Sequence, residues 1–133
     1  DYAVEIFYEA VENGKYTSFI KEDTAMPMLY MDDAIDATIK LMTAPKEQVK
    51  IRYSYNLGGM RFTPKELADE IKKTIPNFEI KYEPDFCQEI ADSWPASIDD
   101  SSAKSDWGLD YKFNISSMSI DMINNLKKKL EKN

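Results

Sequence analysis

Thr63-Pro64-Lys65-Glu66 fixes the start of a helix more firmly than any other stretch of this 133-residue chain. A threonine at the N-cap accepts from the backbone of the third helical residue, and a glutamate there reaches back to the N-cap. Proline at the first helical position has no N–H to leave unpaired. Leu67, Ala68, Ile71 and Ile75 then recur on one face, opposite Lys, Glu and Asp, and Pro76 prevents continuation beyond about Thr74.

The same reading divides the rest of the chain. Ala3, Ile6, Phe7, Ala10 and Val11 have the spacing of one apolar helix face, with Asp1 as a cap and Asn13-Gly14 as a stop. Short β-type runs follow at 16–20 and 26–31. Pro27 cannot donate to a ladder, so the second strand is expected after Pro27 or at an edge. Asp32 and Asp33 stand where N-caps belong, before a helix to about Met42 that Pro45 stops. In it Ala34, Ile35, Ala37, Ile39, Leu41 and Met42 cover most of the circumference, leaving Asp36, Lys40 and Thr43 as a polar stripe. That helix is expected to be largely buried between two layers.

A strand over 52–57 ends at Gly58-Gly59, and another spans 78–82. Pro84 opens a stretch expected to be irregular through Trp94-Pro95. A short helix over 101–107 is closed by Gly108. The last helix starts near Ser116 and turns Met118, Met122, Ile123, Leu126 and Leu130 inward, with Lys127, Lys128 and Lys129 near its negative end. Helices and strands interleave without a repeat or an obvious linker, giving a mixed α/β fold and a single domain over 1–133.

Composition excludes several kinds of chemistry. Without histidine there is no Ser-His-Asp triad, no Cys-His pair and no histidine-held zinc or haem. Cys87 is the sole cysteine, which rules out an intrachain disulfide and a multi-cysteine cluster. Seventeen Lys+Arg against 24 Asp+Glu give a net charge of −7, unlike a nucleic-acid surface. No apolar run approaches the roughly 20 residues of a membrane span. A reduced, cytoplasmic compartment fits, with the mitochondrion as its counterpart in a eukaryotic source. The first residue is not methionine, and a chain that opens inside an amphipathic helix reads as a cut from something longer.

The four glycines, Gly14, Gly58, Gly59 and Gly108, cannot build a G-x-G-x-x-G or Walker loop. Asp32-Asp33 and Asp99-Asp100 admit a metal or acid/base role, but capping is the favoured reading of both. Cys87 reads as a free thiol, and Met26, Met28 and Met31 as core filler. Trp94, in the proline-bounded segment Asp92-Ser93-Trp94-Pro95, is either a pocket wall or a core plug, and both readings stand. No catalytic constellation emerges from the residues alone.

Three blocks nevertheless carry a family likeness. Tyr30-Met31-Asp32-Asp33-Ala34, then Tyr55-Asn56-Leu57-Gly58 with Phe62-Thr63-Pro64-Lys65-Glu66-Leu67, and finally Asp99-Asp100-Ser101-Ser102-Ala103-Lys104 with Trp107-Gly108 resemble extended short-chain dehydrogenases of the epimerase/dehydratase superfamily. Asp1-Tyr2-Ala3-Val4-Glu5-Ile6-Phe7-Tyr8-Glu9-Ala10, Lys21-Glu22-Asp23-Thr24 and Ile90-Ala91-Asp92-Ser93-Trp94-Pro95 resemble their L-threonine 3-dehydrogenase branch. Gly108-Leu109 departs from the family's Gly-Trp.

The resemblance implies the carboxyl-terminal, substrate-binding part of an NAD-dependent oxidoreductase that converts L-threonine to 2-amino-3-oxobutanoate. Trp94, with Ser93 and Asp92 in support, would shape the amino-acid pocket. The family's Gly-rich loop and Tyr-x-x-x-Lys pair have no counterpart here: none of the eight tyrosines has lysine four residues on. The resemblance therefore implies no catalytic or cofactor-binding residue in this chain and no activity from it alone. Its expected partners are the amino-acid substrate and a dinucleotide-binding domain, within a homodimeric parent. Two alternatives are part of a nucleotide-sugar epimerase or dehydratase, and a non-enzymatic interaction domain. Standing alone, the chain should expose an apolar patch and self-associate.

Overall fold

A computed structural model describes residues 1–131. Helix α1 (Tyr2–Glu12) leads into strand β1 (Lys15–Ser18), and β2 (Met26–Met28) precedes helix α2 (Met31–Thr43). Strand β3 (Met60–Phe62), helix α3 (Pro64–Thr74) and strand β4 (Glu79–Tyr82) follow. Three helices close the chain: α4 (Cys87–Asp92), α5 (Ser101–Trp107) and α6 (Ile115–Glu131). Strands β1 and β4 pair in parallel with Tyr16 opposite Ile80, while β2 and β3 pair antiparallel with Met26 opposite Phe62.

The amphipathic helices behave as their spacing requires. Asp1 caps α1, its Oδ1 accepting from Ala3 N at 3.0 Å, and Gly14 turns the chain out at φ +67°. The α3 capping box is complete, with Glu66 N donating to Thr63 Oγ1 at 3.2 Å and Thr63 N to Glu66 Oε2 at 2.8 Å. Helices α1, α3 and α6 bury Ile6, Phe7, Leu67, Ile71, Ile123 and Leu126 against one another and against Phe62 of β3. Fully burying each such side chain contributes about 1.5–3 kcal/mol. Beside this core, α2 and α5 enclose a smaller one, in which Tyr55 meets Trp107 edge-on at 5.7 Å between ring centroids.

Several expectations need correction. Residues 52–57 are not a strand. Their side chains find other partners: the Tyr55 hydroxyl accepts from Lys50 N and Ile51 N and donates to Asp106 Oδ2, the Asn56 amide donates to Asp99 O, and Tyr55 and Leu57 pack on the smaller core. The strand forms only after Gly58-Gly59, at β3. Likewise β1 stops at Ser18, where the Ser18 hydroxyl both donates to Ile20 O and accepts from Ile20 N in a local turn, while Glu83 N and Asp85 N still reach Ser18 O and Phe19 O. For Pro27 the edge alternative holds: it lies inside β2, and a two-stranded ladder leaves each strand one free edge. The stretch after Pro84 contains helix α4, started by Asp85 accepting from Cys87 N at 2.7 Å.

Neither Asp32 nor Asp33 is the N-cap of α2. Tyr30 holds that position without a side-chain bond, and both aspartates sit in the first turn. Asp33 is buried and receives Lys112 N at 2.8 Å and Phe113 N at 3.1 Å, joining α2 to the approach of α6. Asp99 accepts from Ser101 N, as a start-of-helix acid should. Asp100 turns inward instead.

Helix α2 is covered on one side only. Asp33 and Ala37 are buried, whereas Met31, Ile35, Ile39 and Met42 are half to four-fifths exposed along the opposite stripe. Met31 is thus not core filler, although Met26 is. Among the described residues, no helix is long and apolar enough to cross a membrane.

Candidate functional site

The segment carrying Asp92, Ser93 and Trp94 leaves the C-terminal end of α4. Ser93 caps that end: its N–H and its hydroxyl both reach Ile90 O, at 3.1 and 2.6 Å. Trp94 N donates to Ala91 O at 3.1 Å, which fixes the direction in which the indole departs. Trp94 is 56% exposed, which a core plug would not be.

Trp94 separates two concavities. On one side lies an apolar hollow of about 270 Å³. One wall comes from Phe19, Ile20, Met26 and Met28, the facing wall from Cys87, Ile90, Ala91 and Trp94, and Asp1 and Tyr2 close the end. Asp1 is its one charged lining residue. Burial pushes the Cys87 thiol above its ordinary range and the neighbouring Asp85 pushes the same way, so it lines the wall as a neutral thiol and not as a nucleophile. Burial, and then the Glu66 charge, raise the Tyr2 hydroxyl as well. That hydroxyl is buried and has no hydrogen-bond partner.

On the other side lies a polar cleft of about 370 Å³, lined by Lys21, Asp23, Thr24, Ala25, Ala91, Asp92 and Trp94. Asp92 does not stand free in it. Its Oδ1 accepts from the Gln88 amide at 2.7 Å, one turn back on the same helix. The structure therefore brings Trp94 and Asp92 to a shared rim, while the Ser93 hydroxyl is committed to the helix end. A further concavity of about 920 Å³ is lined by residues of α1, β1 and β4, among them Glu5, Glu9, Lys15, Glu79 and Lys81, and in it the Tyr16 hydroxyl donates to Glu5 Oε2 at 3.3 Å.

Gln88 and Asp1 escaped the sequence reading. The pairing of Gln88 with Asp92 at i, i+4 is the available signal for the first. Nothing in the sequence brings Asp1 to a hollow walled by Trp94. Among the described residues, no group of three or more acids and cysteines could hold a metal ion. Gly59 turns at φ +64° directly beside Met28 of the hollow's wall, but no G-x-G-x-x-G run stands there to cradle a dinucleotide's phosphates.

No protein-family model matches the chain. Individual proteins do. It is 48% identical over 130 residues, 97% of its length, to an uncharacterised epimerase/dehydratase of Staphylococcus haemolyticus, covering 41% of that protein. Against the mitochondrial L-threonine 3-dehydrogenase of Bos taurus it is 46% identical over 125 residues, 93% of this chain and 33% of the bovine one. The GalE-like L-threonine dehydrogenase of Cupriavidus necator in its apo form superposes with a TM-score of 0.91 at 52% identity, over 95% of this chain and 45% of that one. The L-threonine dehydrogenase of Phytophthora infestans gives 0.93 at 47% identity, over 96% and 41%. The chain thus spans less than half the length of these relatives.

Proposed function

Homologous over nearly its whole length to part of the threonine dehydrogenases and epimerase/dehydratases, the chain is, we propose, the carboxyl-terminal substrate-binding portion of an NAD-dependent L-threonine 3-dehydrogenase. The observation that carries this reading is the Trp94 hollow: small, apolar, and bearing a single acid. A space of about 270 Å³ suits a small metabolite. Trp94 supplies a flat wall against which the amino acid rests.

Oxidation at C3 of L-threonine removes a hydride from carbon and a proton from the hydroxyl. NAD accepts the hydride when bound. The residues of this chain do not fit that cofactor, so its site and the proton-accepting tyrosine belong to the dinucleotide-binding part of a longer parent. The role left to this chain is to bind, orient and shield the amino acid, with no turnover of its own. The exposed stripe of α2 is the face such a domain would cover. The homodimer implied by the resemblance belongs to the same proposal. The cytoplasmic compartment does too, with the mitochondrion as its eukaryotic counterpart, as in the bovine relative's name.

Trp94→Ala in the longer protein tests the reading. The Michaelis constant for threonine should rise several-fold, about 3- to 10-fold, because an aromatic wall that contributes to substrate binding is lost. Unchanged kinetics would remove Trp94 from the pocket. The epimerase/dehydratase relatives keep a nucleotide sugar as the second reading. Against it, Lys21 is the one basic side chain lining either concavity beside Trp94, too little for a diphosphate clamp.

A further inference from the structure

The two long walls of the apolar hollow come from distant chain segments, residues 19–28 and 87–94. Among the described residues, every side-chain hydrogen bond between them runs through one group, the carboxamide of Gln88. Gln88 is 5% exposed. Its Oε1 accepts from Lys21 N at 2.8 Å, while Nε2 donates to Thr24 Oγ1 at 2.9 Å and to Asp92 Oδ1 at 2.7 Å. A flipped amide would set NH2 against the Lys21 N–H and oxygen against the Asp92 carboxylate, so the partners fix a single orientation. Thr24 is itself held in a turn by its N–H to Lys21 O at 3.3 Å.

We propose that Gln88 is a positioning residue for the amino-acid pocket: by tying the 21–24 turn to α4, it sets the gap between the Met26–Met28 wall and the Trp94 wall. It touches no substrate. It acts through Trp94, whose helix end it anchors by way of Asp92, and through the turn that delivers β2. This inference rests on the reading of the hollow as the substrate pocket.

The test is steady-state kinetics in the longer enzyme. Gln88→Met keeps the length of the side chain and removes all three bonds. The Michaelis constant for L-threonine should rise about tenfold, with kcat within about twofold and the constant for NAD unchanged, because the displacement is confined to the amino-acid pocket. Thr24→Val, on the more exposed turn, removes one of the bonds and should raise the same constant about threefold. The double variant Gln88→Met/Thr24→Val should be no worse than Gln88→Met alone, since both act through one contact.

A drop in kcat with the threonine constant unchanged would overturn the proposal, as would additive effects in the double variant. Thr24→Val decides the matter if Gln88→Met does not fold, because an unchanged threonine constant there also overturns it. Trp94→Ala run alongside separates the two ideas. If Trp94→Ala is silent, the pocket reading fails. If it raises the threonine constant while the Gln88 and Thr24 variants do not, only the positioning role fails.

Discussion

Asp100 offers the most quantitative test of the fold that carries this site. Its carboxylate is buried and holds three elements together: Oδ1 meets Lys104 Nζ at 2.7 Å, and Oδ2 accepts from the Tyr111 hydroxyl at 2.7 Å and from Gly58 N at 3.2 Å. Burial alone would raise its pKa. The bonds from Lys104, Tyr111 and Gly58 outweigh that and hold the carboxyl below its ordinary value. Burial, and then the same bond, push the Tyr111 hydroxyl up to about 12, so it remains a donor at neutral pH.

Each hydrogen bond to a charged group contributes about 1.5–3 kcal/mol. The Lys104 pair is half exposed and adds less than about 1 kcal/mol. Tyr111 is half-buried and regains part of its loss from water, so Asp100→Ala should cost about 3 kcal/mol at pH 7. Asp100→Asn keeps one acceptor oxygen and should cost roughly half that. The sign of the pH dependence follows from the depressed pKa. The carboxylate's contribution is complete above its unfolded value of about 3.9, and is lost as pH falls through the lower folded value. Urea unfolding followed by circular dichroism should therefore show a gap between wild type and Asp100→Asn that narrows on acidification below about pH 4. A gap under about 0.5 kcal/mol at pH 7, or one that stays constant down the acid range, would refute the reasoning.

Two further outcomes follow from local structure. Thr63→Ala removes one half of the α3 capping box and should lower stability by about 1 kcal/mol in the same unfolding assay, while Thr63→Ser should be close to neutral. The bare stripe of α2 should make this chain self-associate in size-exclusion chromatography. Ile35→Glu with Ile39→Glu should shift it toward monomer, and a monodisperse wild-type monomer would count against an uncovered face.

Where local chemistry decides the conformation, the sequence was enough. Helix α3 follows from four residues and an apolar period, α1 from Asp1 and Gly14, and α5 from Gly108, whose φ of +73° a side chain would resist. Where tertiary partners decide, it was not. Residues 52–57 have the composition of a strand, but their side chains serve tertiary partners instead, Tyr55 reaching Asp106 and Asn56 reaching Asp99 O. Helix α4 lies hidden between Pro84 and Pro95 because its start signal is a single Asx bond at Asp85. The all-round apolar α2 implied two covering layers, and only one lies within the described residues.

The site divides in the same way. Trp94 stands out as a large aromatic in an irregular segment, and the structure places it on the rim of a hollow. Asp92 turns to Gln88 and to the polar cleft, while Ser93 serves the end of α4. Gln88 itself matches no motif. Its importance comes from contacts 64 and 67 residues away in sequence, which periodicity and spacing do not register.

On the proposed reading this chain shapes an amino-acid pocket for an oxidation whose catalytic and cofactor groups lie in the rest of a longer protein. NAD-dependent oxidation of L-threonine, measured for this chain and for the longer protein side by side, tests it most directly. The account predicts NADH formation by the longer protein and none by the 133-residue chain. Turnover by the chain alone would contradict the division of labour, and no turnover by either would contradict the substrate.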